Sequence, residues 1–315
     1  MGKYPIAVIP FPYLSPSACA ALAAAVDDAI EAFGKWQIPT GINSKLFKAK
    51  RCLLKVAEQD SYGTTPMELI QTAKAILLAN DFYVISRTLT ESRADPIAKE
   101  LELALRGPLS EIETKNRNAF DILSQFWFGT VLAFSGLHPA VPDSKKTKPD
   151  FLVYEGTLVF GVGIKRPQSP SSAVRALSSA ASQLRKYGEP GIIVLDVTRA
   201  VGAEEVILYR GSRSARQLMK SRFDRLATQL FEATGEHPDS DKFDRIVVLV
   251  VYARFFNWTL GGKRDSDSGF LFKSTVIPTA CSGLIVDHSD RIQTAIARGF
   301  EKISGNRLFL KRTWK

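Results

Sequence analysis

Apolar positions in this chain follow two different rhythms. Up to about residue 115 they recur every three or four residues, the spacing of helices that bury one face. Ser15-Pro16-Ser17 opens an alanine-rich stretch that runs through Ala32 to Gly34, with serine before and glycine after as helix punctuation. Thr65-Pro66-Met67-Glu68 supplies a cap, a proline at the first helical position and a capping-box glutamate. Asp95-Pro96 opens another helix, which closes at Gly107-Pro108. Between them, Lys45, Lys48, Lys50, Arg51 and Lys55 interleave with Leu46, Phe47, Leu53 and Leu54. That pattern reads as a solvated basic face over an apolar stripe, or as a basic helix against DNA. Residues 1–115 are therefore expected to be a mainly helical region serving recognition or dimerisation.

Beyond residue 115 short apolar runs alternate with helical patterns. Phe120, Leu123, Trp127, Val131 and Phe134 mark the buried side of a helix between Ser110 and Gly136. After a polar loop, Phe151–Tyr154 and Leu158–Ile164 flank the turn dipeptide Glu155-Gly156, which predicts a β-hairpin. Ala173–Tyr187 reads as a helix with Val174, Leu177, Ala180, Ala181 and Leu184 on its apolar face. Gly191–Val197 and Arg245–Tyr252 are continuous apolar runs, as expected for strands buried on both faces. A helix at Ser212–Gly235, a flexible loop at Gly261–Gly269, a strand at Phe270–Ile277 and a basic terminal helix complete the pattern. Alternating strands and helices imply an α/β domain over residues 116–315, a mixed sheet flanked by helices.

Composition narrows the function classes. The 315 residues are 45% hydrophobic and 23% charged, an ordinary globular balance, with no run apolar enough to span a bilayer. Cys19, Cys52 and Cys281 form no pair or ligand cluster, so a reducing cytoplasm is the expected setting. The net charge of +10 favours polyanionic partners. Only His138, His237 and His288 are present and none has zinc-ligand spacing; a P-loop and a serine-hydrolase elbow are both absent.

The chemistry-bearing residues gather on the hairpin. Pro149-Asp150 opens its first strand and Gly163-Ile164-Lys165 closes its second, followed by Arg166 and Pro167. Pro142-Asp143 is a weaker alternative start, since Ser144-Lys145-Lys146 rather than a strand follows it. On the next helix Gln183 and Tyr187 are four residues apart, on one face. This arrangement resembles the PD-(D/E)xK nuclease superfamily, with the restriction endonuclease-like fold. Pro149-Asp150 matches the first half of its motif and Lys165 the lysine, while Gly163 stands where the second acid belongs.

The resemblance implies a Mg²⁺- or Mn²⁺-dependent DNA endonuclease of the restriction or phage-defence type. Asp150 and the backbone carbonyl of Ile164 would hold the metal, joined by Asp121 from the preceding helix. Lys165 would orient the attacking water or stabilise developing charge, supported by Gln183 and Tyr187. Lys145, Lys146, Lys148, Arg166 and Arg185 would meet the nucleic-acid backbone. Three readings of Gly163 stay open: a removed acid, a replacement acid such as Glu155 or Asp121, or a scaffold kept for binding nucleic acid or protein without catalysis. No membrane partner is expected, and a homo-oligomeric or protein contact would fall to the N-terminal region.

Overall fold

The computed structural model describes residues 7–10, 18–88, 98–109, 118–142, 149–202, 212–235, 243, 245–258, 266–276 and 283–305. Lys145, Lys146 and Lys148, expected at the nucleic-acid backbone, lie outside the described residues. The chain divides into two compact units, Met1–Phe11 with Val131–Ser304, and Pro12–Thr130 with Gly305–Lys315. The expected division near residue 115 thus falls later, inside a continuous helix, and the extreme N-terminus joins the sheet-bearing unit.

The helical unit contains α1 (Ala18–Lys35), α2 (Lys45–Gln59), α3 (Pro66–Thr88) and α4 (Ala98–Leu105), and α1, α2 and α3 pack mutually. Its basic helix is in part the expected solvated face over an apolar stripe, with Arg51 and Lys55 exposed and Leu46, Ala49, Leu53 and Val56 buried, but Lys45 and Lys48 turn inward. Lys45 is fully buried; its Nζ donates to the Ala104 carbonyl at 3.0 Å and lies 3.8 Å from the centroid of the Phe120 ring. Lys48 Nζ donates to the Gly107 carbonyl at 2.9 Å. Two lysines one turn apart thus satisfy carbonyls at and just past the C-terminus of α4, where cations are favoured. Lys50 pairs with Asp27 at 2.7 Å and Lys55 with Glu68 at 3.3 Å.

The α5 helix (Asn118–Ser135) crosses from one unit to the other. The second unit is built on a six-stranded mixed sheet ordered β1-β6-β5-β4-β3-β2. Its strands are β1 (Ala7–Pro10), β2 (Phe151–Glu155), β3 (Leu158–Lys165), β4 (Gly191–Asp196), β5 (Ile246–Trp258) and β6 (Ser266–Val276). The β2–β3 and β5–β6 pairs are antiparallel, whereas β3, β4 and β5 run parallel. The α/β class and the mixed sheet are as the patterning implied. Two differences stand out. Ala7–Pro10, within the region expected to be helical, pairs antiparallel with β6 at the sheet edge, where a proline's missing donor is tolerated. The segment from Ser266, expected to be loop, already pairs with β5.

Helices α6 (Pro170–Tyr187) and α7 (Ser212–Gly235) cover one face of the sheet; α8 (Gly283–Gly305) covers the other. Register assigns the faces. Gly161, Gly163 and Lys165 stand beside Gly191, Ile193 and Leu195, and the last two belong to a core shared with Leu177, Ala180 and Leu184 of α6 and with Met219 and Phe223 of α7. On the reverse face Tyr252 stacks at 5.6 Å on Phe300 of α8, and Ser274 accepts from Gln293 at 3.0 Å.

Candidate functional site

The hairpin brings its motif residues to one place. Phe151 pairs with Val162 at the start of β2, and Asp150, one residue before the strand, lies against Val162 and Ile164 of β3. Lys165 is two residues on from Gly163 and therefore on the same face of β3, beneath α6. The Asp150 backbone N–H donates to the Val162 carbonyl at 2.8 Å, and Asp150 Oδ2 accepts the Ile164 N–H at 2.6 Å. The second contact is a short, charge-assisted bond that fixes the carboxylate against the end of β3. The Ile164 carbonyl leaves the strand on the same edge as its N–H, toward Asp150, while its side chain is buried on the reverse face.

Lys165 Nζ donates to Gln183 Oε1 at 2.8 Å, and both side chains are partly buried. An amide oxygen orients the ammonium and leaves its charge uncancelled. Tyr187, one turn beyond Gln183, is half-buried, and its hydroxyl takes part in no hydrogen bond among the described residues. Arg185 is exposed on the outer side of the same helix.

Other expected members are placed elsewhere. Asp121 is in the first turn of α5, within the helical unit. Glu155 is at the hairpin turn, 3.9 Å from both His288 Nδ1 and Arg291 Nη1, at the far end of the strands from Asp150. Arg166, expected at the nucleic-acid backbone, points to the reverse face. Its guanidinium is 7% exposed and its Nε lies 3.3 Å from Oδ2 of the fully buried Asp196. Asp196 Oδ1 also accepts the N–H and hydroxyl of Thr198, whose Oγ1 accepts the Arg254 N–H at 2.9 Å. The signal for this lock was an aspartate ending an apolar strand, because a buried carboxylate requires a cation or several donors.

Gly163 has packing neighbours as well as a motif position. A methyl group there would meet Leu184 at 3.5 Å and Ala180 at 3.7 Å, ordinary contact distances. At Gly161 the same group would meet Leu184 at 3.0 Å, and at Gly191 at 2.8 Å. Leu184 therefore sits in a hollow that requires glycine at 191 and is tight at 161; the first atom of a side chain fits at 163.

For a divalent cation the donors in this pocket are the Asp150 carboxylate and the Ile164 carbonyl, and the described residues contain no cluster of three His, Cys, Asp or Glu side chains that could hold a metal ion. Such a set fits Mg²⁺ if waters and substrate phosphates complete the shell, because that ion commonly uses only one or two carboxylates.

Fold and site together define an α/β protein whose hairpin presents one carboxylate, held by the Ile164 N–H, and one amide-held lysine at the end of β3. No protein-family model, curated protein or solved structure matches the chain. Among the described residues no helix is long and apolar enough to cross a membrane.

Proposed function

We propose that the chain is a metal-dependent DNA endonuclease of the PD-(D/E)xK type, with a restriction endonuclease-like fold, weakened by Gly163. The observation that carries this reading is the Lys165–Gln183 bond at 2.8 Å at the end of β3 where Asp150 Oδ2 accepts the Ile164 N–H. Lysine, glutamine and first acid are the members of the motif supplied by the hairpin and the helix that follows it, and its missing member would be one side chain at Gly163. Asp150 and the Ile164 carbonyl would hold Mg²⁺ or Mn²⁺. When bound, that ion supplies charge neutralisation at the phosphate and an activated water. Lys165 then supports the phosphate oxygens, held in place by Gln183. Loss of even an outer-sphere partner typically costs about 10–100-fold in metal affinity or activity, so a missing ligand sets a larger deficit.

Gly163→Glu is the test, since the backbone there accepts a Cβ without displacing α6. With Mg²⁺ or Mn²⁺ the variant should cleave plasmid or linear DNA where the parent cleaves little or none. Adding Asp150→Ala or Lys165→Ala should abolish the gain. If Gly163→Glu cuts no DNA or RNA, the nuclease reading fails. One observation favours a second reading, a non-catalytic nucleic-acid-binding module: Asp150 Oδ2 is already engaged by Ile164 at 2.6 Å. That reading expects salt-sensitive, metal-independent binding, with no cleavage by either form.

A further inference from the structure

Resting on the reading that Lys165 receives a nucleic-acid phosphate, we infer that the outer face of α6 docks the backbone of duplex DNA. Among the eight described helices α6 alone contains no aspartate or glutamate. Ser171, Arg175, Ser179, Ser182, Arg185 and Lys186 are all exposed and recur at helical spacing along one stripe. Hydroxyls, guanidinium groups and ammonium groups are the donors that proteins set against phosphate oxygens. None of Arg175, Arg185 and Lys186 forms an ion pair among the described residues.

The contrast with the other helices gives this its weight. The lysines of α2 are consumed by internal carbonyls and carboxylates. On α7 the exposed Lys220 and Arg225 share their face with Asp224 and Glu232, and on α8 Arg298 and Lys302 stand near Asp290 and Glu301. The α6 stripe has no acid within the helix, and the nearest in sequence is the exposed Glu189 just past its C-terminus. From Ser171 to Lys186 it runs about 22 Å, at roughly 1.5 Å of rise per residue. One DNA strand offers about six phosphates over that length, at roughly 3.4 Å each. Gln183 lies at the margin of the stripe and holds Lys165, so a backbone tracked along α6 passes beside the pocket. A membrane surface fits poorly, because Val174 is the one exposed large apolar side chain of this helix and an interfacial helix needs a wide apolar face.

The experiment is fluorescence anisotropy of the full chain with a labelled random-sequence duplex, in EDTA, between 50 and 200 mM NaCl. The parent should bind with a strong salt dependence. Arg175→Gln/Arg185→Gln/Lys186→Gln should weaken binding at least tenfold at low salt and reduce the slope of log K against log salt by about 2.7, at about 0.9 per phosphate contact. Arg51→Gln/Arg87→Gln/Arg298→Gln, which removes equal charge from other exposed positions, should keep the parent slope. A second α6 variant, Ser179→Asp/Ser182→Asp, leaves the cations in place and should also weaken binding. Far-UV circular dichroism and melting confirm that each variant is folded. Equal loss in the α6 and control triples, or parent-like binding by both α6 variants, overturns the docking surface while leaving the nuclease reading to the Gly163→Glu result. Binding by the parent to anionic vesicles but not to duplex overturns the docking surface, again leaving the nuclease reading to the Gly163→Glu result.

Discussion

Replacing Gly191, Gly161 and Gly163 by alanine, one at a time, probes the hollow that seats α6. At Gly191 the new methyl would lie 2.8 Å from Leu184 Cδ1, 3.0 Å from Ile246 Cδ1 and 3.1 Å from Leu184 Cβ. The last atom is fixed to the helix backbone, so side-chain rotation cannot relieve the clash and α6 must shift. Overpacking of this kind costs about 1–3 kcal/mol, partly offset by the roughly 0.5–1 kcal/mol that glycine itself costs within a strand, leaving a loss of about 1–2 kcal/mol. At Gly163 the contacts are 3.5–3.7 Å, so only the glycine term remains and alanine should stabilise by about 0.5–1 kcal/mol. Gly161, with contacts at 3.0 and 3.4 Å, should fall between. Urea midpoints at unchanged m-value measure the order. Leu184→Ala alone should cost about 2–5 kcal/mol, because the side chain is fully buried. Combined with Gly191→Ala it should cost less than the sum, since one change fills space that the other empties. Gly163→Ala as damaging as Gly191→Ala, or strict additivity in the double variant, would refute this account of the seat.

Lys45→Ala should destabilise the helical unit by about 2–4 kcal/mol, losing buried methylenes and leaving the Ala104 carbonyl without this donor; chemical denaturation checks it. The backbone N–H groups of Thr64 and Thr65 hold the Glu68 carboxyl down at about 2. Its folded value lies below the unfolded one, so its stabilising contribution is present above about pH 4.3 and fades as pH falls toward 2. A carboxyl chemical shift of Glu68 that titrates near 4.3 in the folded protein would contradict this. Burial, aided by neighbouring Cys52, pushes the Cys19 thiol up to about 12. Iodoacetamide at pH 8 should leave Cys19 unmodified until the chain is denatured, as read by peptide mass mapping.

The elements that were legible carry local signals. The turn dipeptide Glu155-Gly156 between two apolar runs announced the hairpin, and Ser212–Gly235 is helical over the range its pattern implied. Thr65-Pro66 opened α3 where expected. Start points were less visible where capping competes with hydrophobic spacing: α6 begins at Pro170, capped by Ser169, three residues before its apolar face. Long-range partners were not readable. Nothing in Ala7–Pro10 says that it pairs with β6, and four residues carry too little periodicity to separate strand from loop. Nor does a lysine-rich helix reveal that one lysine is buried under a ring and a carbonyl of other helices. Gly161-x-Gly163 is open to a motif reading from the sequence; only the position of Leu184 separates the glycine that packing requires from the one it does not.

Adjacent Lys165 and Arg166 show why a run of basic residues is a weak guide to a binding surface. The period of two in a strand sends them to opposite faces. Arg166 meets a fully buried carboxylate, so at distance the pair presents a dipole, and its guanidinium has almost no surface left for another anion. Lys165 meets an amide, which orients the ammonium without neutralising it. The same sorting separates α2, whose Lys50 and Lys55 end on carboxylates and whose Lys45 and Lys48 end on helix-terminal carbonyls, from α6, whose Arg175, Arg185 and Lys186 share their helix with no acid. Net charge counts all of these cations equally, but a phosphate responds only to those that remain reachable and uncancelled. On that criterion Lys165 and the cations on the outer stripe of α6 are among the described residues that can still answer a phosphate. The amide at Gln183 joins them: exchanging it for a carboxylate, Gln183→Glu, would cancel the lysine while leaving its position intact, which separates the charge of Lys165 from its placement.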